Sequence, residues 1–170
     1  MKDEIEKSKE GFNAFLAEIP SLLEMLKNLL LKSKNYNGVS VNYDLDTILK
    51  VELFYIDVLK KNEPVTVSNN LIYKIMMAYY GEAFIHNAGG KWMFNDNKKD
   101  EDKVCNTPII FEWGTGKNNM RISPVMMIDG IKKELSPAMA SSIDYAANKD
   151  ERDKELRDEL MSLGKKKKKK

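Results

Sequence analysis

The stretch Tyr79-Tyr80-Gly81-Glu82-Ala83-Phe84-Ile85-His86-Asn87-Ala88-Gly89-Gly90-Lys91-Trp92-Met93-Phe94 decides how the chain is read. Before it, Leu71, Ile72, Ile75, Met76, Tyr79 and Tyr80 keep helical spacing, which predicts a helix from Ser68 or Asn69 to Tyr80 with Gly81 ending it. After Gly81 the period becomes two. Ala83–His86 and Lys91–Phe94 read as the strands of a β-hairpin across Asn87-Ala88-Gly89-Gly90, whose glycines supply positive φ. Pro108–Trp113, a Gly114-Thr115-Gly116-Lys117 turn and Asn119–Ser123 repeat the pattern as a second hairpin. The expected class is α+β: an antiparallel sheet of about four strands in two hairpins, helices packed on one face, and extra N- and C-terminal helices.

Toward the N-terminus, Phe12, Phe15, Leu16 and Ile19 mark one face of a helix, and Pro20 followed by Ser21 and Glu24 predicts a break or kink with a new helix cap. Asp44 or Asp46 caps a further helix that runs to about Lys61, before Asn62-Glu63-Pro64. Toward the C-terminus, Pro124 opens a short helix reaching Glu134, and Ser136-Pro137 precedes an alanine-rich and then charged helix. This divides a single domain into an N-terminal helical segment (1–38), an α+β core (39–135), a C-terminal helix (136–164) and a lysine tail (165–170).

Composition narrows the function. With 170 residues, 42% hydrophobic and 32% charged, the chain can bury one core and is too charged for a membrane protein. Cys105 is the one cysteine and His86 the one histidine, so an internal disulfide and a Cys- or His-rich zinc site are excluded. Without the six terminal lysines, 22 basic residues face 26 acidic ones, so the body carries −4 and the formal +2 belongs to the tail. The charged start, with no apolar h-region, reads as having no secretory signal, and a cytoplasmic location is expected. Leu22–Leu31 is interrupted by charges and is too short to span a bilayer.

Local motifs resolve mostly into structure. Gly114-Thr115-Gly116-Lys117 lacks the spacing and the following helix of a phosphate loop and reads as a hairpin turn. Asp96, Asp100, Glu101 and Asp102 lack the spacing of an EF-hand and read as a solvated loop. Cys105 has no base near it in sequence, and a break at Gly81 keeps Glu82 and His86 off one helical face. Trp92 with Phe94, and Trp113 with Phe111, alternate onto common strand faces, as sheet core or as an aromatic platform. Lys165, Lys166, Lys167, Lys168, Lys169 and Lys170 form a polyanion-attracting run with no lipid anchor beside it.

Tyr79-Tyr80-Gly81-Glu82, the Gly89-Gly90-Lys91-Trp92 segment and the later Pro108-Ile109-Ile110 resemble small uncharacterised bacterial proteins. In these a Tyr-x-Gly-Glu helix end feeds a Gly-Gly-x-Trp hairpin, and the resemblance covers about Asp44 to Lys133. It implies an accessory or immunity-type binding protein and carries over no catalytic residue. The functional expectation is therefore a non-catalytic intracellular protein-binding module, an immunity or antidote protein being one form, with another protein as partner. No cofactor, metal or specific nucleic acid is expected. Glu82, Tyr80, Trp92 and Trp113 are the candidate binding residues. Two alternatives stay open: a carboxylate-based or metal-dependent hydrolase using Glu82, Glu112 and Asp129, and polyanion or membrane-surface association through the tail.

Overall fold

The computed structural model describes residues 8–97, 105–113, 121–149 and 151–152. Among these are five helices: α1 (Lys9–Lys32), α2 (Leu45–Leu59), α3 (Asn69–Ala88), α4 (Pro124–Glu134) and α5 (Met139–Ala147). Three strands, β1 (Lys91–Asn95), β2 (Thr107–Phe111) and β3 (Arg121–Ile122), pair antiparallel in the order β1-β2-β3. Trp92 lies opposite Ile110, Phe94 opposite Pro108, and Ile110 opposite Ile122. The α+β class stands.

Helix α3 is the centre of the molecule. Ile72, Ile75, Met76, Met77, Ala78, Tyr79, Tyr80, Ala83 and Phe84 are all buried, so it is covered on every side. Helix α1 lies against it through Phe15, Leu22, Leu26 and Leu30, which share one core with the rest of the chain. Helix α5 lies across α2 and α3, and α4 joins α3 to β2. Side-chain caps start the helices where sequence chemistry places them. Ser8, Asp44, Ser68 and Ser123 accept the amides of Gly11, Thr47, Leu71 and Met126.

The strand expectations are corrected, and the choice left open at Pro20 is decided. Ala83–His86 is helix, not strand: α3 runs through Gly81 and stops at Gly89, where φ is +77° and the cap amide returns to Ile85. The apolar spacing of Tyr80, Ala83 and Phe84 continues the buried surface, and this tertiary gain outweighs the local cost of glycine. Gly89 and Gly90 do take positive φ, but as a helix cap and exit, so the sheet has three described strands where four in two hairpins were expected. Pro20 does not divide α1; it sits exposed within it, and Ser21 donates to the Glu18 carbonyl instead of capping. Buried residues at 12, 15, 19, 22, 26 and 30 straddle it. Strand β2 is buried at four successive positions, hence on both of its faces.

Asn95, the neighbour of Asp96, ends β1 and is buried. The Gly114–Lys117 turn, Asp100, Glu101, Asp102, most of the charged C-terminal helix and the lysine tail lie outside the described residues. No helix among the described residues is long and apolar enough to cross a membrane.

Candidate functional site

The predicted binding residues divide. Trp92 and Glu82 meet: the indole Nε1 donates to Glu82 Oε1 at 2.8 Å, and the ring lies edge-on to Phe15 with centroids 5.4 Å apart. Its six-membered ring rests directly over Gly81, whose missing side chain makes the space. Both residues are half-buried, and the contact ties β1 to α1 and α3. Because α3 is unbroken, Glu82 and His86 do share a helical face, contrary to expectation. Tyr43 packs beside His86 at 5.3 Å, and burial first, then the Glu82 charge, raises its pKa.

Tyr80 and Trp113 do not reach the surface. Tyr80 is fully buried, and burial, with lesser contributions from Glu52, Tyr55 and Tyr79, holds its pKa well above the ordinary value. Trp113 packs edge-on against Phe84. Beyond β2, Glu112 takes φ +58°, which ends the strand alternation and separates buried Trp113 from half-buried Phe111. The Tyr80 hydroxyl and Trp113 Nε1 have no hydrogen-bond partner. Tyr80→Phe is therefore expected to raise unfolding free energy by about 1 kcal/mol, since it removes a buried hydroxyl that is desolvated without compensation. Urea denaturation measures it; a loss of stability instead would show a buried water satisfying the hydroxyl.

The carboxylates proposed for hydrolysis are held apart in different duties. Glu82 serves Trp92, Glu112 pairs with Lys91 at 2.7 Å, and Asp129 stands on α4 near Tyr55. Burial, helped by Asp129, pushes the Tyr55 pKa up to about 12. Two carboxylates that sequence inspection passed over are the buried ones. Glu52 is fully buried on the same face as Ile48, Tyr55 and Ile56. It accepts the amides of Ala138 and Ala140 at 2.8 and 2.9 Å, with that of Met139 between them. Helix α5 has no side-chain cap of its own, so Glu52 caps it from α2. Glu63 accepts Lys34 N and Asn35 Nδ2 beside the bond from the Tyr36 hydroxyl to Asp57. The signal for Glu52 was legible as a lone acid on an apolar helical face. Among the described residues, no three His, Cys, Asp or Glu side chains converge as a metal site requires.

Among the described residues, two clefts lie along α4. A cleft of about 340 Å³ is lined by Ile109, Arg121, Ile122, Ser123, Met126 and Met127. A second, about 320 Å³, is lined by Met127, Gly130, Ile131, Glu134 and the start of α5 at Ala138 and Met139. Met127 lines both, so they adjoin along one stretch of α4 surface. Its floor follows α4 at the spacing 123, 126, 127, 130, 131, 134, one strip of a helix. Family models, curated proteins and solved structures show no match to this chain. The α4 surface is apolar with polar groups at its ends, each cleft within the size range of small binding clefts. Met126 is 44% exposed, and paired methionines give a groove that adapts to varied side chains. In sequence, Met126-Met127 and Gly130 were read only as part of a short helix.

Proposed function

We propose that this chain is a non-catalytic protein-binding module acting inside the cell, with the methionine-lined groove along α4 as its contact surface. One observation carries it: two adjoining apolar clefts along α4, both lined by Met127, on a molecule whose described buried carboxylates are already committed to main-chain amides. An apolar surface of this kind marks a place where another protein's side chains are desolvated. The resemblance to immunity-type bacterial proteins points the same way, and an antidote that masks a toxin is one form of the activity. The acidic body outside the tail favours a basic partner.

Affinity capture from the native host's lysate tests the reading, using the chain and its Met126→Glu variant at high salt after nuclease treatment. Met126 is exposed, so the variant keeps its fold, which a thermal melt verifies. A protein held by the chain and lost by Met126→Glu is the expected result; equal retention of every protein by both baits overturns the groove as contact surface. A bait ending at Gly164 reports separately on the lysine run, whose binding is salt-sensitive and disappears with it.

A further inference from the structure

Two helix ends meet at one corner of the molecule. Glu63, just beyond α2, is buried and accepts the Lys34 amide at 3.3 Å and Asn35 Nδ2 at 3.4 Å. The Tyr36 hydroxyl donates to Asp57 of α2 at 2.6 Å. The C-terminus of α1, at Lys32, is thereby held near that of α2, at Leu59.

This latch gathers charge of one sign. Lys32, Lys34, Lys60 and Lys61 are all exposed, and among the described residues none of them pairs with a carboxylate. No acidic residue occurs between Glu24 and Asp44, and between Asp57 and Glu82 the sole one is Glu63. Asp57 and Glu63 are themselves engaged in the latch. On a body that carries −4 without its tail, the corner is a local reversal of sign.

Helix chemistry accounts for two of the four lysines. Lys32, in the last turn of α1, and Lys60, which caps α2, answer the partial negative charge of helix C-termini. Lys34 and Lys61 lie beyond the helices. Lys61 takes φ +62°, where glycine is at ease and a side chain is strained, so the backbone supplies no reason for lysine there.

The corner also has an apolar point. Leu31 is 56% exposed, more than any other large apolar side chain among the described residues. It stands in the last turn of α1 beside Lys32 and one turn from Lys27. An exposed leucine among lysines has the chemistry of an interfacial anchor: lipid phosphates attract the ammonium groups while the apolar side chain enters the headgroup boundary. Single-stranded nucleic acid is held by aromatic stacking and arginine instead. The corner offers neither, since Tyr36 is half-buried with its hydroxyl bound and the chain has no arginine before Arg121.

We propose that this corner docks on an anionic lipid surface, with Leu31 entering the headgroup boundary and Lys32, Lys34, Lys60 and Lys61 meeting lipid phosphates. It shares no residue with the clefts along α4 and stands or falls apart from them.

The test is sedimentation of the full chain with phosphatidylcholine vesicles that contain or lack phosphatidylserine. The terminal lysines also attract such vesicles, so charge-matched variants of the full chain are compared. Lys34→Gln with Lys61→Asn is expected to weaken binding to the anionic vesicles roughly twentyfold, and Lys34→Gln alone roughly fivefold. Asparagine tolerates positive φ, so the melting temperature is expected to hold. Lys9→Gln with Lys132→Gln removes the same charge from exposed positions elsewhere and is expected to weaken binding by roughly twofold at most. Leu31→Ser is expected to cost roughly threefold or more. No binding to anionic vesicles, equal loss in the two double variants, or parental binding by Lys34→Gln or Leu31→Ser overturns the proposal. A loss in the Lys34→Gln, Lys61→Asn variant confined to single-stranded RNA, with vesicle binding unchanged, also overturns it and makes the occupant nucleic acid.

Discussion

Gly81→Ala is expected to destabilise the protein by about 2 kcal/mol, although alanine is the better helix former by about 1 kcal/mol. The added Cβ would stand 1.9 Å from Cζ2 and 2.2 Å from Cη2 of Trp92. The indole cannot move aside freely. It is held by its bond to Glu82 and by the edge contact with Phe15, and a shift would drag β1 from α1 and α3. Overpacking at such a site costs more than the propensity gain returns. The decisive measurement is a double-mutant cycle by urea unfolding with Trp92→Leu. In the truncated background Gly81→Ala should become neutral or stabilising, and persistence of the full penalty there would place its cause in the helix backbone rather than the ring.

The second large effect belongs to Glu52. Glu52→Ala is expected to cost about 3 kcal/mol, because it strands main-chain donors at the start of α5 that a buried carboxylate now satisfies. Charge-assisted bonds to helix N-terminal amides lie at the strong end of the hydrogen-bond range, and no side chain of α5 can replace them. Glu52→Gln retains one acceptor oxygen and should lose about half as much. The loss is local at first. In hydrogen exchange, the amides of Met139–Ala147 should lose protection before those of α3. Uniform loss across both helices would mean that Glu52 supports the core as a whole rather than the docking of α5.

Local chemistry made a good part of this fold readable. Asp44, Ser68 and Pro124 with Ser123 start helices where capping rules place them, and the α+β class survives because Lys91–Phe94 and Pro108–Phe111 are strands, although the change of period comes after Ala88 and not after Tyr80. The failures came where a distant residue overrules a local one. Gly81 reads as a stop only while Trp92 is absent from view; once the indole lies over it, glycine is a requirement of the interior of α3. Pro20 leaves a break or a kink open, and buried residues on both sides hold one helix to a common surface. At the candidate site, Glu82 and Trp92 each read as a binding residue with nothing in their spacing to announce the bond between them, and Tyr80 and Trp113 are interior. The groove was not legible because its walls come from β2, β3, α4 and α5, which sequence spacing cannot bring together.

The capping of α5 by Glu52 also bears on how the chain is made. The carboxylate and its amide partners are separated by 86 to 88 residues, with α3, the sheet and α4 between them. During synthesis, Glu52 leaves the ribosome long before the amides that neutralise it. Until those amides arrive, closing α2 onto its neighbours would bury an uncompensated charge, which several kcal/mol oppose. The nascent molecule is thus kept from sealing its interior early. A chain ending before residue 138 would leave Glu52 without these amides, and faster proteolysis than that of the full chain is the expected sign.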